Sequence, residues 1–316
     1  GLELLAENEL QPALPAEAFK VVQDQTAQSI AGLLETPDYH AHRALLSGLL
    51  PPSDPALREP TPQKVSALTL ADVQSYYGQT FRPDLTKIVI IGDISPDDAK
   101  AEVLRWFGNW KAEGPKPKVD LPPIPSNKSS ATDVPDPTRV QDAVTLSEEL
   151  PMNRFDPDYY PLQLGNHILG GGFYATRLYR DLRERTGYVY NVSESLDAGR
   201  TRTRLTVSYG CDAINVSKAR ALIVQDLTAM QTAAPSAGEM QQAVAMLLRE
   251  IPLAEASESG IADGFLARAV IGLPLDEPIR AAERYRNLSA EQVRAAFAKW
   301  VRPGDFVQVV EGPPPK

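Results

Sequence analysis

Between Val216 and Met230 the apolar residues Val216, Ala219, Ile223, Leu227 and Met230 recur at the spacing of one helix face, which predicts an amphipathic helix. Just upstream the period changes. In Thr203–Cys211, Leu205, Val207, Tyr209 and Cys211 alternate with polar partners, the mark of a half-buried strand. Val140–Leu150 and Tyr188–Ser195 predict two more strands. Helices are expected around Tyr160–Leu169 and Thr176–Arg185, the second with Leu178 and Leu182 on one face. Ser236 and Glu239 form the capping box of a further helix. Strands first, long helices after and few βαβ alternations imply an α+β fold, with helices packed on one face of a mostly antiparallel sheet.

The pattern repeats itself. Leu68, Thr69, Val73, Tyr77, Arg82, Pro83, Val89, Ile90 and Gly92 match Leu288, Ser289, Val293, Phe297, Arg302, Pro303, Val309, Val310 and Gly312 at a constant offset of 220. Each copy reads as an N-cap, a helix, an Arg-Pro break, a short β-branched strand and a glycine. Pro15 and Pro235, each opening a helical stretch, keep the same offset. Residues 1–96 therefore have counterparts at 221–316, so the chain holds one and a half copies of a repeated unit.

Composition refines this picture at three points. Of 28 prolines, seven lie between Lys111 and Pro137, where apolar periodicity disappears; residues 111–137 read as a proline-rich linker between 1–110 and 138–316. A net charge of −9 argues against a nucleic-acid surface. One cysteine, Cys211, excludes an internal disulfide and any multi-cysteine metal centre but does not fix the compartment; bacterial envelope and cytoplasm both stay open. No apolar run reaches the length of a membrane-spanning helix. The chain opens inside a helical pattern without an initiator Met, and the alanine-, arginine- and proline-rich character suggests a bacterial source.

Three stretches carry a resemblance: YYGQTFRPDLTKIVIIGDISPDDAKAEVLRWFGNW (76–110), NHILGGGFYATRLYRDLRERTGYVYN (166–191) and the helices of residues 1–37. They resemble the M16 metallopeptidases, the insulinase, pitrilysin and mitochondrial processing peptidase group. The resemblance implies a LuxS/MPP-like metallohydrolase fold built from tandem α+β units. It makes 1–110 the C-terminal half of a first M16-type domain and 138–316 a complete second domain of the family's inactive kind.

The family's catalysis needs a His-x-x-Glu-His helix, two histidines binding Zn²⁺ and a glutamate acting as general base. The histidines here are His40, His42 and His167, and none has that spacing. On a helix His40 and His42 diverge by about 200°. The repeat places about eighty residues of the first copy, with the zinc-helix position, upstream of Gly1. Either an intact motif lies there or the parent lacks one. The family's third zinc ligand, a glutamate, falls at Ser29, a degenerate position; a register one turn off would put Asp24 there instead. This chain is therefore expected to bind no metal and to be no enzyme on its own.

The resemblance also assigns substrate contacts. Arg183 and Tyr190 match an Arg and a Tyr, seven residues apart, that reach a peptide substrate and stabilise the oxyanion of its tetrahedral intermediate. The bland reading pairs Arg183 with Glu184 or Asp181 and packs Tyr190 on the sheet; Tyr188 could replace Tyr190 only through a register shift. Gly170, Gly171 and Gly172 match a glycine-rich substrate-handling loop, shortened here toward a tight turn. The expected function is a non-catalytic M16 homologue lending substrate-binding groups to a zinc-bearing M16 partner as a heterodimer, or associating with itself. The alternatives are a structural M16 scaffold and a fragment of an active zinc endopeptidase whose motif lies upstream.

Overall fold

The computed structural model describes residues 1–172 and 174–314. It begins with helices α1 (Leu2–Leu10), α2 (Ala16–Leu33), α3 (Pro37–Leu49), α4 (Pro62–Ser66), α5 (Leu70–Thr80) and α6 (Pro96–Phe107). Strands β1 (Ser130–Pro135) and β2 (Asp142–Leu150) follow, then α7 (Tyr159–Asn166), β3 (Val189–Ala198) and β4 (Thr203–Cys211). The remaining elements are α8 (Val216–Thr232), α9 (Ala237–Ala254), α10 (Glu258–Ile271), α11 (Glu277–Asn287), α12 (Ala290–Trp300) and β5 (Val307–Gly312).

The chain divides into two compact units. Unit 1 comprises Gly1–Leu34, Glu59–Val119 and Ala254–Leu275; unit 2 comprises Glu35–Arg58, Asp120–Leu253 and the residues from Asp276 onward. A simple cut at the proline-rich stretch does not describe this division, because α3 belongs to unit 2 and α10 to unit 1. These two segments lie close to the 220-residue offset, so equivalent pieces of the two copies are assigned in opposite senses.

Unit 2 is built on a five-stranded sheet in the order β1-β5-β2-β4-β3, with β1 parallel to β5 and the other pairs antiparallel. β1 lies inside the stretch expected to be linker. Its pairing residues carry no proline before Pro135, so their N–H groups can join a ladder, and an edge strand tolerates the proline at its end. On one face Val144, Leu146, Leu205 and Val207 meet Leu162 and Leu164 of α7, Ile223 and Leu227 of α8, and Val293 and Phe297 of α12, all buried. Each such side chain contributes about 1.5–3 kcal/mol on burial. Of the α8 positions read from the sequence, Ala219, Ile223, Leu227 and Met230 are fully buried and Val216 is partly buried.

The expectation of helices on one face is incomplete. β5 alternates two apolar sets, and its second face presents Val307 to Leu49 and Leu50 at the end of α3. A Cβ at Gly48 would lie 2.6 Å from Val307, which shows how closely α3 approaches. The opposite face of the same sheet is tighter still. A Cβ at Gly165 would lie 2.2 Å from the Phe297 ring, so α7 and α12 meet backbone to ring.

Unit 1 is helical. The Gln23 amide donates to the carbonyls of Val65, Ser66 and Leu68, fastening α2 to α4. Tyr77, Phe81 and Trp110 stack with centroid separations of 4.9 and 5.2 Å. The repeat is visible in the helix bounds: α5 and α12 differ by 220 at both ends, and both open with a complete capping box, Thr69/Asp72 and Ser289/Gln292. The copies differ afterwards. Val89 and Ile90, expected in a strand, form none, whereas their counterparts lie in β5. A strand needs a hydrogen-bonded neighbour, and among the described residues unit 1 supplies no sheet. Ile88, Ile90, Ile91 and Ile94 of that stretch stay exposed, and unit 1 also leaves open a helical apolar groove of about 350 Å³ lined by Phe19, Val22, Val65, Leu68 and Val73. The counterparts of Val65 and Val73, Tyr285 and Val293, are buried in the core of unit 2.

Two glycine substitutions separate packing from propensity. Gly165→Ala should destabilise the protein by about 1–3 kcal/mol through overpacking on Phe297. Gly78, in α5, has open space at its Cβ, and its counterpart is Ala298; Gly78→Ala should stabilise by up to about 1 kcal/mol. Urea denaturation of both variants checks the pair.

Candidate functional site at the start of strand β3

Two stretches of π-helical backbone, His167–Gly171 and Tyr179–Arg185, lie between α7 and β3. Gly187, at φ +64°, takes the left-handed conformation that turns the second of them into β3. The β3–β4 register then slips: Val189 pairs with Cys211 and Asn191 with Gly210, leaving Tyr190 as the extra residue of a β-bulge. The Asn191 side-chain carbonyl accepts the Gly210 N–H at 2.7 Å and pins the bulge. Strand alternation is broken here: Val189 is buried, while Tyr190 is 47% exposed. Tyr188 packs against the core with the Lys218 ammonium 5.5 Å from its ring, so Tyr190 is the outward tyrosine.

Arg183 and Tyr190 stand together. The guanidinium lies 5.9 Å from the Tyr190 ring centroid and donates to the Val189 carbonyl at 3.2 Å. Arg183 is exposed and forms no ion pair among the described residues. Asp181, one of the two acids expected to claim it, pairs instead with Arg180 at 2.8 Å and Arg185 at 2.9 Å, and Arg180 holds its carboxyl below the usual range. The Tyr190 hydroxyl donates to Asp212 at 3.0 Å, and that carboxylate raises the phenol pKa and keeps it protonated. Beside the bulge, on the sheet face that carries Val307, lies a groove of about 390 Å³ lined by Arg139, Gln141, Thr145, Asn191, Ser193 and Ser208.

The glycines are steric devices. A Cβ at Gly170 would lie 2.7 Å from Glu194, one at Gly171 2.4 Å from the Asn166 amide, and one at Gly172 2.9 Å from the His167 carbonyl. The run closes a π-helical turn against β3 rather than forming an open loop.

Ser29 is exposed on α2, and Asp24 is engaged by Lys20 at 2.8 Å. His40 and His42 are exposed on α3, while buried His167 contacts the Gln163 carbonyl and Glu250. Among the described residues no group of three or more His, Cys, Asp or Glu could hold a metal. Ser29 offers a zinc ion only a neutral hydroxyl, where a carboxylate would offset its charge. No helix among the described residues is long and apolar enough to cross a membrane.

Sequence periodicity did not single out two acidic residues under the site. Glu148 of β2 and Glu194 of β3 lie on the core face of the sheet. Burial pushes Glu148 up to about 7 although the Arg302 backbone N–H and guanidinium oppose it. Glu194 is raised well above the usual range by burial and by Glu148, and both of its oxygens lack a partner among the described residues. The available signal was a carboxylate at an apolar position of a strand pattern.

Comparison with known proteins identifies the class. Residues 67–247 match the family model described as the peptidase M16 inactive domain, and the chain belongs to that family. It is similar to a probable inactive metalloprotease, YmfF of Bacillus subtilis, with 22% identity over 313 residues, 95% of this chain and 70% of that protein. An uncharacterized zinc protease of Mycobacterium leprae is 26% identical over 155 residues, 48% of this chain and 34% of its own length. Among solved structures, the peptidase M16 inactive domain from Pseudomonas fluorescens superposes with a TM-score of 0.85 at 25% identity, over 99% of this chain and 74% of that one. A Helicobacter pylori protease shares the fold, with a TM-score of 0.85 at 15% identity over 99% of this chain and 76% of its own. The chain is thus a homologue of the inactive M16 domain, α+β in fold.

Because Glu148 carries a pKa raised above its unfolded value, the folded state holds the extra proton between about pH 4.5 and 7. Its contribution is full below pH 4.5 and is lost as pH rises through 7. Glu148→Gln should therefore flatten this part of the stability–pH profile by on the order of 2–3 kcal/mol, read by urea denaturation at pH 4.5 and 8.

Proposed function

We propose that this chain is a non-catalytic M16 subunit that presents Arg183 and Tyr190 to the backbone of a peptide cleaved by a zinc-bearing M16 partner. The observation that carries this reading is the bulge. It directs Tyr190 outward beside Arg183, whose remaining N–H donors are uncommitted among the described residues. A guanidinium and a phenol aimed at a carbonyl oxygen stabilise the negative charge it develops, most strongly where a partner surface excludes water. The phenol must turn from Asp212 to the substrate, and Asp212 keeps it a donor until then. The zinc and the attacking water belong to the partner. Residues 1–110 are then the closing half of a first M16-type unit and 138–316 the second, inactive unit.

A second reading has its own observation. Tyr190 is hydrogen-bonded to an anion, the wrong neighbour for a developing oxyanion, and this favours a purely structural M16 scaffold. Reconstitution with the zinc-bearing partner decides. Arg183→Ala and Tyr190→Phe should each lower kcat/KM by about a hundredfold while leaving subunit association unchanged. Unchanged turnover in both variants leaves the scaffold. An intact His-x-x-Glu-His upstream in the parent polypeptide would make the chain part of an active endopeptidase.

A further inference from the structure

A second groove in unit 2, of about 510 Å³, runs along α9 and is bounded across from it by Tyr174. Its bed is neutral, with Ala245 and Met246 as apolar floor and the amides of Gln241 and Gln242 along one side. Arg249 stands at its end, exposed and without an ion pair or hydrogen bond among the described residues. The acids of the same helix are engaged elsewhere. Glu239 pairs with Arg177 at 2.7 Å and caps Ser236, while Glu250 lies 3.2 Å from the His167 Nε2. In a chain of net charge −9, a cation without a counter-ion does not reflect a surplus of positive charge.

Next to this groove the molecule already receives a carboxylate. The His167 Nδ1 lies 3.1 Å from the Gln163 carbonyl and its Nε2 faces Glu250, so both ring nitrogens meet oxygen acceptors. Glu250 itself is more than half exposed and reaches in from the surface to make the contact.

We propose that this groove binds an extended acidic peptide segment, with an Asp or Glu carboxylate on Arg249, its stem on Met246 and its backbone on the Gln241 and Gln242 amides. A free carboxylate is not enough, because one exposed ion pair contributes about 0–1 kcal/mol. A chain adds the rest. From Gly238 to Arg249 the helix runs about 16 Å, the length of about five residues of extended peptide. The site is separate from the Arg183–Tyr190 pair and does not depend on the role assigned to it.

The test is fluorescence anisotropy with the whole chain and two fluorescein-labelled, C-terminally amidated peptides, Ala-Ala-Asp-Glu-Ala and its neutral analogue Ala-Ala-Asn-Gln-Ala. The acidic peptide should bind about fivefold more tightly at low salt, and the difference should shrink as salt is added. Arg249→Gln should abolish the difference. Arg286→Gln, which removes an equal charge from an exposed position on α11, should preserve it. Equal binding of the two peptides, absence of saturable binding, an unaffected Arg249→Gln or an equal loss in Arg286→Gln would each overturn the proposal.

Discussion

Strand β2 is the element from which unit 2 is hung. It is hydrogen-bonded on both edges, to β4 and β5, and almost every one of its residues is buried. A one-residue slip would carry Val144 and Leu146 to the other face and bring Thr145 and Ser147 into the core, so its register is fixed on both sides. Arginines hold its C-terminal end: Arg204 meets Glu149 and Arg302 meets Glu148. Through β4 this register reaches β3, where the slip between Val189 and Asn191 sets the direction of Tyr190. The geometry of the candidate site is therefore inherited from a strand that contributes no residue to its Arg–Tyr pair.

The internal repeat explains why the two units differ. The same capped helix appears as α5 and α12, yet α12 buries Val293, Ala296 and Phe297 while α5 buries nothing. Propensity and capping suffice to form either helix. Burial requires the strands and helices that unit 2 has in β2, β4, α7 and α8. The failure of Val89 and Ile90 to form a strand has the same cause, because β-branched residues favour a ladder but cannot make one without a neighbour.

Much of this was legible beforehand. Period-two and helical spacing located β4 and α8, Ser236 and Glu239 form their capping box, and the 220-residue offset reappears in helix bounds. What remained hidden depends on long-range geometry. Proline density concealed β1, whose ladder partner is more than 170 residues away. Both apolar faces of β5 looked like one short β-branched run, so the packing of α3 on the second face could not be anticipated. Arg183 and Tyr190 were marked by family likeness alone. Nothing in local spacing announces the bulge that exposes Tyr190, or the arginines that take Asp181 and leave Arg183 unpaired.

The central claim is that Tyr190 faces peptide. The most direct measurement replaces Tyr190 with photoreactive p-benzoylphenylalanine and irradiates the complex with a zinc-bearing M16 partner and a labelled peptide substrate, mapping the crosslink by mass spectrometry. The account predicts a crosslink from position 190 to the peptide, competed away by unlabelled peptide. Crosslinks confined to protein chains, in a complex that still turns the peptide over, would contradict it.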